Sequence, residues 1–158
     1  MHEIRTDIEI AATPQRVWEV LMDFPAHARW NPFVRSIEGK AQPGERLQVR
    51  IQPAGGKGMT FRPTVLAATP GQEFRWRGHL LFPGLFDGEH FFRIEPLGAG
   101  RSRLVHGEHF SGLLVPLARR QLEGGTRAGF HAMNEALKAR AEDAGTQPAG
   151  RVNPATGG

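Results

Sequence analysis

A long helix near the C-terminus limits the fold of this chain more than any other feature. Residues 114–142 carry Leu114, Leu117, Leu122, Thr126, Phe130, Met133 and Leu137 at steps of three, four and five, which keeps one stripe turned to the same side. A stripe of that length needs a partner, and the chain before it offers seven strand-like runs with only short helical turns. The helix is expected to lie across a sheet. Gly124, Gly125 and Gly129 each cost about 1 kcal/mol relative to alanine in a helix interior, so its first half is the weaker half. These glycines either let backbone approach the sheet or leave room for a ligand, and glycine suits both.

Taken from the N-terminus, Ile4, Thr6, Ile8 and Ile10 alternate with Arg5, Asp7 and Glu9, the period of a half-buried strand. Thr13 then caps a short helix with Pro14 in its first position and Val17, Trp18, Val20, Leu21 and Phe24 on one face. A second helical turn at residues 26–29 stops at Trp30-Asn31-Pro32, because the residue before proline is pushed out of the helical region. Strands two and three follow at 33–38 and 46–52, and strand four at 59–67, where Pro63 removes a ladder donor and predicts an edge or bulge.

Strand five, residues 72–79, sets Phe74 and Trp76 against Glu73, Arg75 and Arg77, so the arginine side, with Arg62 and Arg93, is expected to face solvent. Strands six and seven, 87–95 and 102–111, are joined by Leu97-Gly98-Ala99-Gly100-Arg101. Centring that loop on Ala99 pairs Ile94 with Leu104, Phe92 with His106 and His90 with Glu108, all on the apolar face. The connection at 80–86 is unusually apolar and calls for a cover, for which residues 113–117 are the natural supply.

Composition narrows the functions open to such a chain. It has no cysteine, which excludes disulfides, thiolate chemistry and cysteine-held metals. A net charge of +4 is too modest to signal nucleic-acid binding. No run approaches the roughly 20 apolar residues of a membrane span, so stable membrane insertion is not expected and a cytoplasmic location is. Residues 1–143 read as one domain, and 144–158, rich in Gly, Ala and Pro without periodicity, read as a disordered tail.

The order strand, two short helices, six strands, long helix is similar to the START/Bet v 1-like superfamily, which includes the polyketide cyclase/dehydrase and lipid-transport group. The residues carrying the resemblance are Ala12-Thr13-Pro14-Gln15-Arg16-Val17-Trp18 with Leu21 and Phe24, Trp30-Asn31-Pro32-Phe33, and the strand at 102–112. The resemblance implies an α+β helix-grip fold: a curved antiparallel seven-stranded sheet wrapped around the C-terminal helix, with a cavity between them for an apolar small molecule such as a lipid or polyketide. It leaves chemistry open, because the superfamily holds carriers, cyclases and chaperone cofactors.

Within that frame His90, His106 and Glu108 fall on the cavity face, among Phe61, Trp76, Phe92, Phe110, Phe130 and Met133. A carboxylate buried among such neighbours either keeps a proton or pairs with an imidazole. The three polar residues therefore read as a satisfied cross-strand pair with His106 bonded to the helix or to water, as a polar handle orienting a ligand, or as acid and base groups acting on a carbonyl substrate. Phe82, Leu85, Leu114 and Leu117 read as a gate over the cavity mouth, or as packing alone. No HExxH spacing supports a metal, and no cofactor is expected. The expected function is binding of a small hydrophobic molecule. The alternatives are a cyclase/dehydrase-type enzyme and a module docking a protein partner, whose identity the sequence leaves unknown.

Overall fold

The computed structural model describes residues 2–143, so the tail expected at 144–158 lies outside the described residues. The described chain runs β1 (His2–Ile10), α1 (Pro14–Met22), α2 (His27–Trp30), β2 (Val34–Glu38), β3 (Gln48–Ile51), β4 (Met59–Phe61), β5 (Thr64–Thr69), β6 (Glu73–His79), β7 (Asp87–Gly98) and β8 (Arg101–Ser111). The final helix follows as α3 (Val115–Gln121), a π-helical turn (Leu122–Thr126) and α4 (Arg127–Glu142). A short 3-10 turn, Phe24–Ala26, joins α1 to α2.

The architecture is α+β, an antiparallel sheet holding a long C-terminal helix, as expected. The strand count differs. Five strands pair in the order β1-β8-β7-β6-β5, and three more form a separate ladder, β2-β3-β4. The expected strand four divides at Pro63, which has no N–H to offer a ladder, so β4 pairs with β3 while β5 pairs with β6. The two ladders stay joined through main-chain bonds around the break, from Leu47 N to the Pro63 carbonyl at 2.9 Å and from Val65 N to the Glu45 carbonyl at 2.8 Å.

Local chemistry fixes the ends of the short helices. The Thr13 hydroxyl caps α1 by accepting from Arg16 N at 3.1 Å. Beyond α2, buried Asn31 accepts from Phe33 N and Val34 N at 3.0 and 2.9 Å, which turns the chain into β2. Between β7 and β8 the register is the expected one, with Ile94 opposite Leu104, Phe92 opposite His106 and His90 opposite Glu108. On the outer face Phe91 is buried rather than solvated, because the Arg75 and Arg93 guanidinium groups cover its ring from 5.1 and 5.2 Å.

The final helix is not uniform. Its π-helical turn contains Gly124 and Gly125, where the regular hydrogen-bond ladder is cheapest to disturb. Two of the three glycines serve close approach, while Gly124 faces open space: a Cβ at Gly125 would stand 2.8 Å from the Ala54 carbonyl, and one at Gly129 would run into the Phe33 ring. Phe33 is buried and its ring meets Phe130 edge-on at 5.3 Å, so it has little room to retreat. Gly129→Ala is accordingly expected to destabilise the protein by about 1–3 kcal/mol, even though alanine is the better helix former. Urea unfolding checks the sign, and a stabilised variant would show that Phe33 can move.

Candidate functional site

The space between sheet and helix divides into a filled half and an open half. Under α4, the buried residues Trp76, His90, Phe92, His106, Phe130 and Met133 pack against one another. His106 is sandwiched between Phe130 at 4.2 Å and Phe92 at 4.5 Å, and Trp76 stacks on His90 at 4.8 Å. These six are expected site residues, and none of them is in the wall of the cavity that opens beside them.

Under α3 and the π-helical turn the space opens into a cavity of about 460 Å³. Phe61, Phe110 and Glu108 are the expected site residues found in its wall, with Leu114 and Leu117 from the expected gate. Phe82 and Leu85 are not in the wall. Residues 84–85 instead lie against the start of the final helix, with Leu113 N bonded to the Gly84 carbonyl at 3.1 Å and Leu114 N to the Leu85 carbonyl at 2.9 Å. The cover expected over 80–86 is thus made by backbone and is incomplete: Leu81 and Leu117 remain 81% and 84% exposed. Leu117 belongs to both wall and surface, so the cavity opens beside it.

Other wall residues are not among the expected site residues, although Leu122 and Thr126 lie on the inward stripe of the helix. Phe33 comes from just before β2 and Ile51 from β3, Ala118, Gln121, Leu122 and Thr126 from the final helix, and Lys57 and His79 are exposed members of the wall. Gly88 also lies in the wall, and its lack of a side chain makes room for Glu108: a Cβ there would stand 2.6 Å from Glu108 Oε1.

The polar residues form one connected chain. His90 Nε2 and His106 Nε2 are 2.7 Å apart, and His106 Nδ1 lies 2.8 Å from Asn134 Oδ1. Asn134 Nδ2 donates to Thr6 Oγ1 at 2.8 Å, and Thr6 Oγ1 donates to the His106 carbonyl at 2.8 Å. At the other end, His90 Nδ1 is buried without a hydrogen-bond partner, with Glu108 Oε2 3.5 Å away. Thr6 and Asn134 were not singled out from the sequence. The available signal was a polar residue on each buried stripe: Thr6 between Ile4 and Ile8, and Asn134 one turn beyond Phe130.

Burial sets the charge of this chain. It lowers the His90 pKa to about 3 and holds His106 well below its ordinary value, where the neighbouring His90 acts in the same direction. It raises the Glu108 pKa to about 8, against the opposing pull of His109. At neutral pH both imidazoles are neutral and Glu108 is mostly protonated, so the cavity wall carries a carboxylic acid rather than a carboxylate. Among the described residues no three His, Asp or Glu side chains converge to hold a metal ion. No helix among them is long and apolar enough to cross a membrane.

A family model described as polyketide cyclase / dehydrase and lipid transport matches residues 1–142. No curated protein matches the chain. Among solved structures, the Zhui aromatase/cyclase from Streptomyces sp. R1128 superposes with a TM-score of 0.70 at 22% identity, over 89% of this chain and 93% of that one. A START superfamily protein from Mycobacterium smegmatis gives 0.70 at 22% identity, over 90% and 98%. At such identities these likenesses concern the fold.

Proposed function

The chain belongs to the polyketide cyclase / dehydrase and lipid transport family, and from that premise we propose that it binds a small, predominantly apolar molecule in the cavity beneath α3. The observation that carries this reading is the cavity itself. Its volume of about 460 Å³ falls in the range of small-molecule sites, and Phe33, Phe61, Phe86 and Phe110 supply apolar wall around a single carboxyl group. Burying the apolar surface of a ligand there gains roughly 25 cal/mol per Å² removed from water. The polar wall atoms then decide orientation rather than affinity.

The test uses N-phenyl-1-naphthylamine, an uncharged probe that fluoresces in apolar surroundings. Ala118 is in the cavity wall on α3, so a larger side chain there is expected to take up cavity space. Ala118→Trp is expected to weaken probe binding at least tenfold while thermal unfolding stays within a few degrees. Equal binding by both proteins would place the probe elsewhere, and no binding by the wild type would remove the cavity reading.

A second reading, acid–base catalysis on an oxygenated substrate, is supported by one observation. A carboxyl group with a pKa near 8 stands in the wall with two imidazoles behind it, suited to giving and taking protons near neutral pH. Under that reading Glu108→Gln abolishes turnover and leaves ligand affinity largely intact, whereas equal loss of both points to binding alone.

A further inference from the structure

The buried polar chain has only one arrangement of protons. Thr6 Oγ1 owns a single hydrogen, and its 2.8 Å contact with the His106 carbonyl, a pure acceptor, uses it. Thr6 must then accept from Asn134, which assigns Nδ2 to the Thr6 side and Oδ1 to the His106 side. His106 Nδ1 therefore carries a proton, and the neutral ring presents a lone pair at Nε2. That lone pair, 2.7 Å from His90 Nε2, demands a proton on the latter. Neutral His90 is left with a lone pair at Nδ1, buried, without a hydrogen-bond partner, and facing Glu108 Oε2 at 3.5 Å.

We propose that Glu108 keeps its proton on Oε2 for His90 Nδ1 and offers Oε1 to the cavity as an acceptor, so that the cavity selects an apolar molecule whose polar end is a hydroxyl donor. Oε2 is the oxygen that faces His90 Nδ1, which leaves Oε1, over the wall residue Gly88, free of that pair. Thr6 and Asn134 touch no ligand. They act as positioning residues, because the hydrogen bonds they fix leave His90 Nδ1 an acceptor and so make Glu108 the donor of that pair. The other charged or titratable groups around the carboxyl do not supply the missing partner: His109 is the adjacent residue on β8 and turns to Glu3, while Lys57 and His79 stand in the cavity wall.

This inference rests on the cavity being the binding site, and the experiment separates the two. Displacement of N-phenyl-1-naphthylamine is measured at pH 6.5 with 2-naphthol, which donates a hydrogen bond, and 2-methoxynaphthalene, which only accepts. In Glu108→Leu the ratio of their dissociation constants is expected to shift about tenfold against 2-naphthol, the worth of one well-placed hydrogen bond. An unchanged ratio with both compounds bound overturns the donor preference and leaves the cavity reading standing. Failure of reporter and both compounds to bind the wild type overturns both. A second measurement needs no variant: ring nitrogen chemical shifts at pH 6.5 are expected to show His106 protonated on Nδ1 and His90 on Nε2. A proton on His90 Nδ1 would make Glu108 the acceptor in that pair and overturn the proposal.

Discussion

Asn134→Leu is expected to destabilise the protein by about 2–4 kcal/mol at pH 6.5, a large effect for a nearly isosteric change. Leucine matches the shape of asparagine but removes both the acceptor for His106 Nδ1 and the donor to Thr6 Oγ1. His106 is fully buried between Phe92 and Phe130, so no water reaches its N–H to replace the lost partner. Thr6 keeps its bond to the His106 carbonyl and suffers less. The double variant Thr6→Val/Asn134→Leu should therefore cost less than the sum of the two single changes, since both act on one chain. Urea unfolding of the four proteins measures this. Strict additivity would mean that the chain is a set of separate hydrogen bonds.

The same network marks how far the sequence could be read. Register between β7 and β8 was legible, because a short loop at Ala99 and a strict two-residue alternation leave only one pairing that keeps Phe92, Ile94 and Leu104 inside. The inward face of β1 follows from the same alternation, and that of α4 from helical spacing of three and four residues. What pattern alone does not reveal is depth. Trp76, Phe92, Phe130 and Met133 share a face with Phe61 and Phe110, yet the first four fill the interior and the last two border a void. The cavity lies under α3 and the π-helical turn rather than under α4, and a π-helical turn is a backbone event that Gly124 and Gly125 permit without announcing its form. Pro63 likewise signalled an interruption, but whether β4 and β5 remain in one ladder depends on partners far away in sequence.

Function was legible only to the level of a polar cluster in an apolar site. His90, His106 and Glu108 can be placed on one face by register, but pattern leaves the partner of His106 open between the helix and water. Thr6 and Asn134 are ordinary residues until their distances are known, yet they set the tautomers of both histidines. Roles that depend on which nitrogen holds a proton need the hydrogen-bond partner on the far side of the ring, which here comes from another element altogether.

Thermal stability of the wild type is expected to peak near pH 6.5 and to fall on both sides, and Glu108→Gln should abolish the fall on the alkaline side. Folding raises the Glu108 pKa from 4.5 to about 8, so the folded state holds this proton more tightly than the unfolded chain does. The resulting stability is fully present below pH 4.5 and is lost as pH rises towards 8, by an amount on the order of 3–5 kcal/mol. Folding lowers the His90 pKa from 6.5 to about 3, which has the opposite sense: that stability is complete above pH 6.5 and is lost as the solution is acidified through 3. His106 and His27, also lowered by burial, add to the acid side. Between pH 4.5 and 6.5 the histidines outnumber the carboxyl group, and above 6.5 the carboxyl group acts alone among these four. With no cysteine or tyrosine in the chain, no thiol or phenol obscures that alkaline decline. Glutamine at 108 keeps a donor for His90 Nδ1 and cannot ionise, so the variant should match the wild type near pH 5 and exceed it by several kcal/mol at pH 8.5. A wild-type profile flat from pH 6.5 to 8.5, or a variant that declines in parallel with it, would show that Glu108 is already ionised in the folded protein at neutral pH.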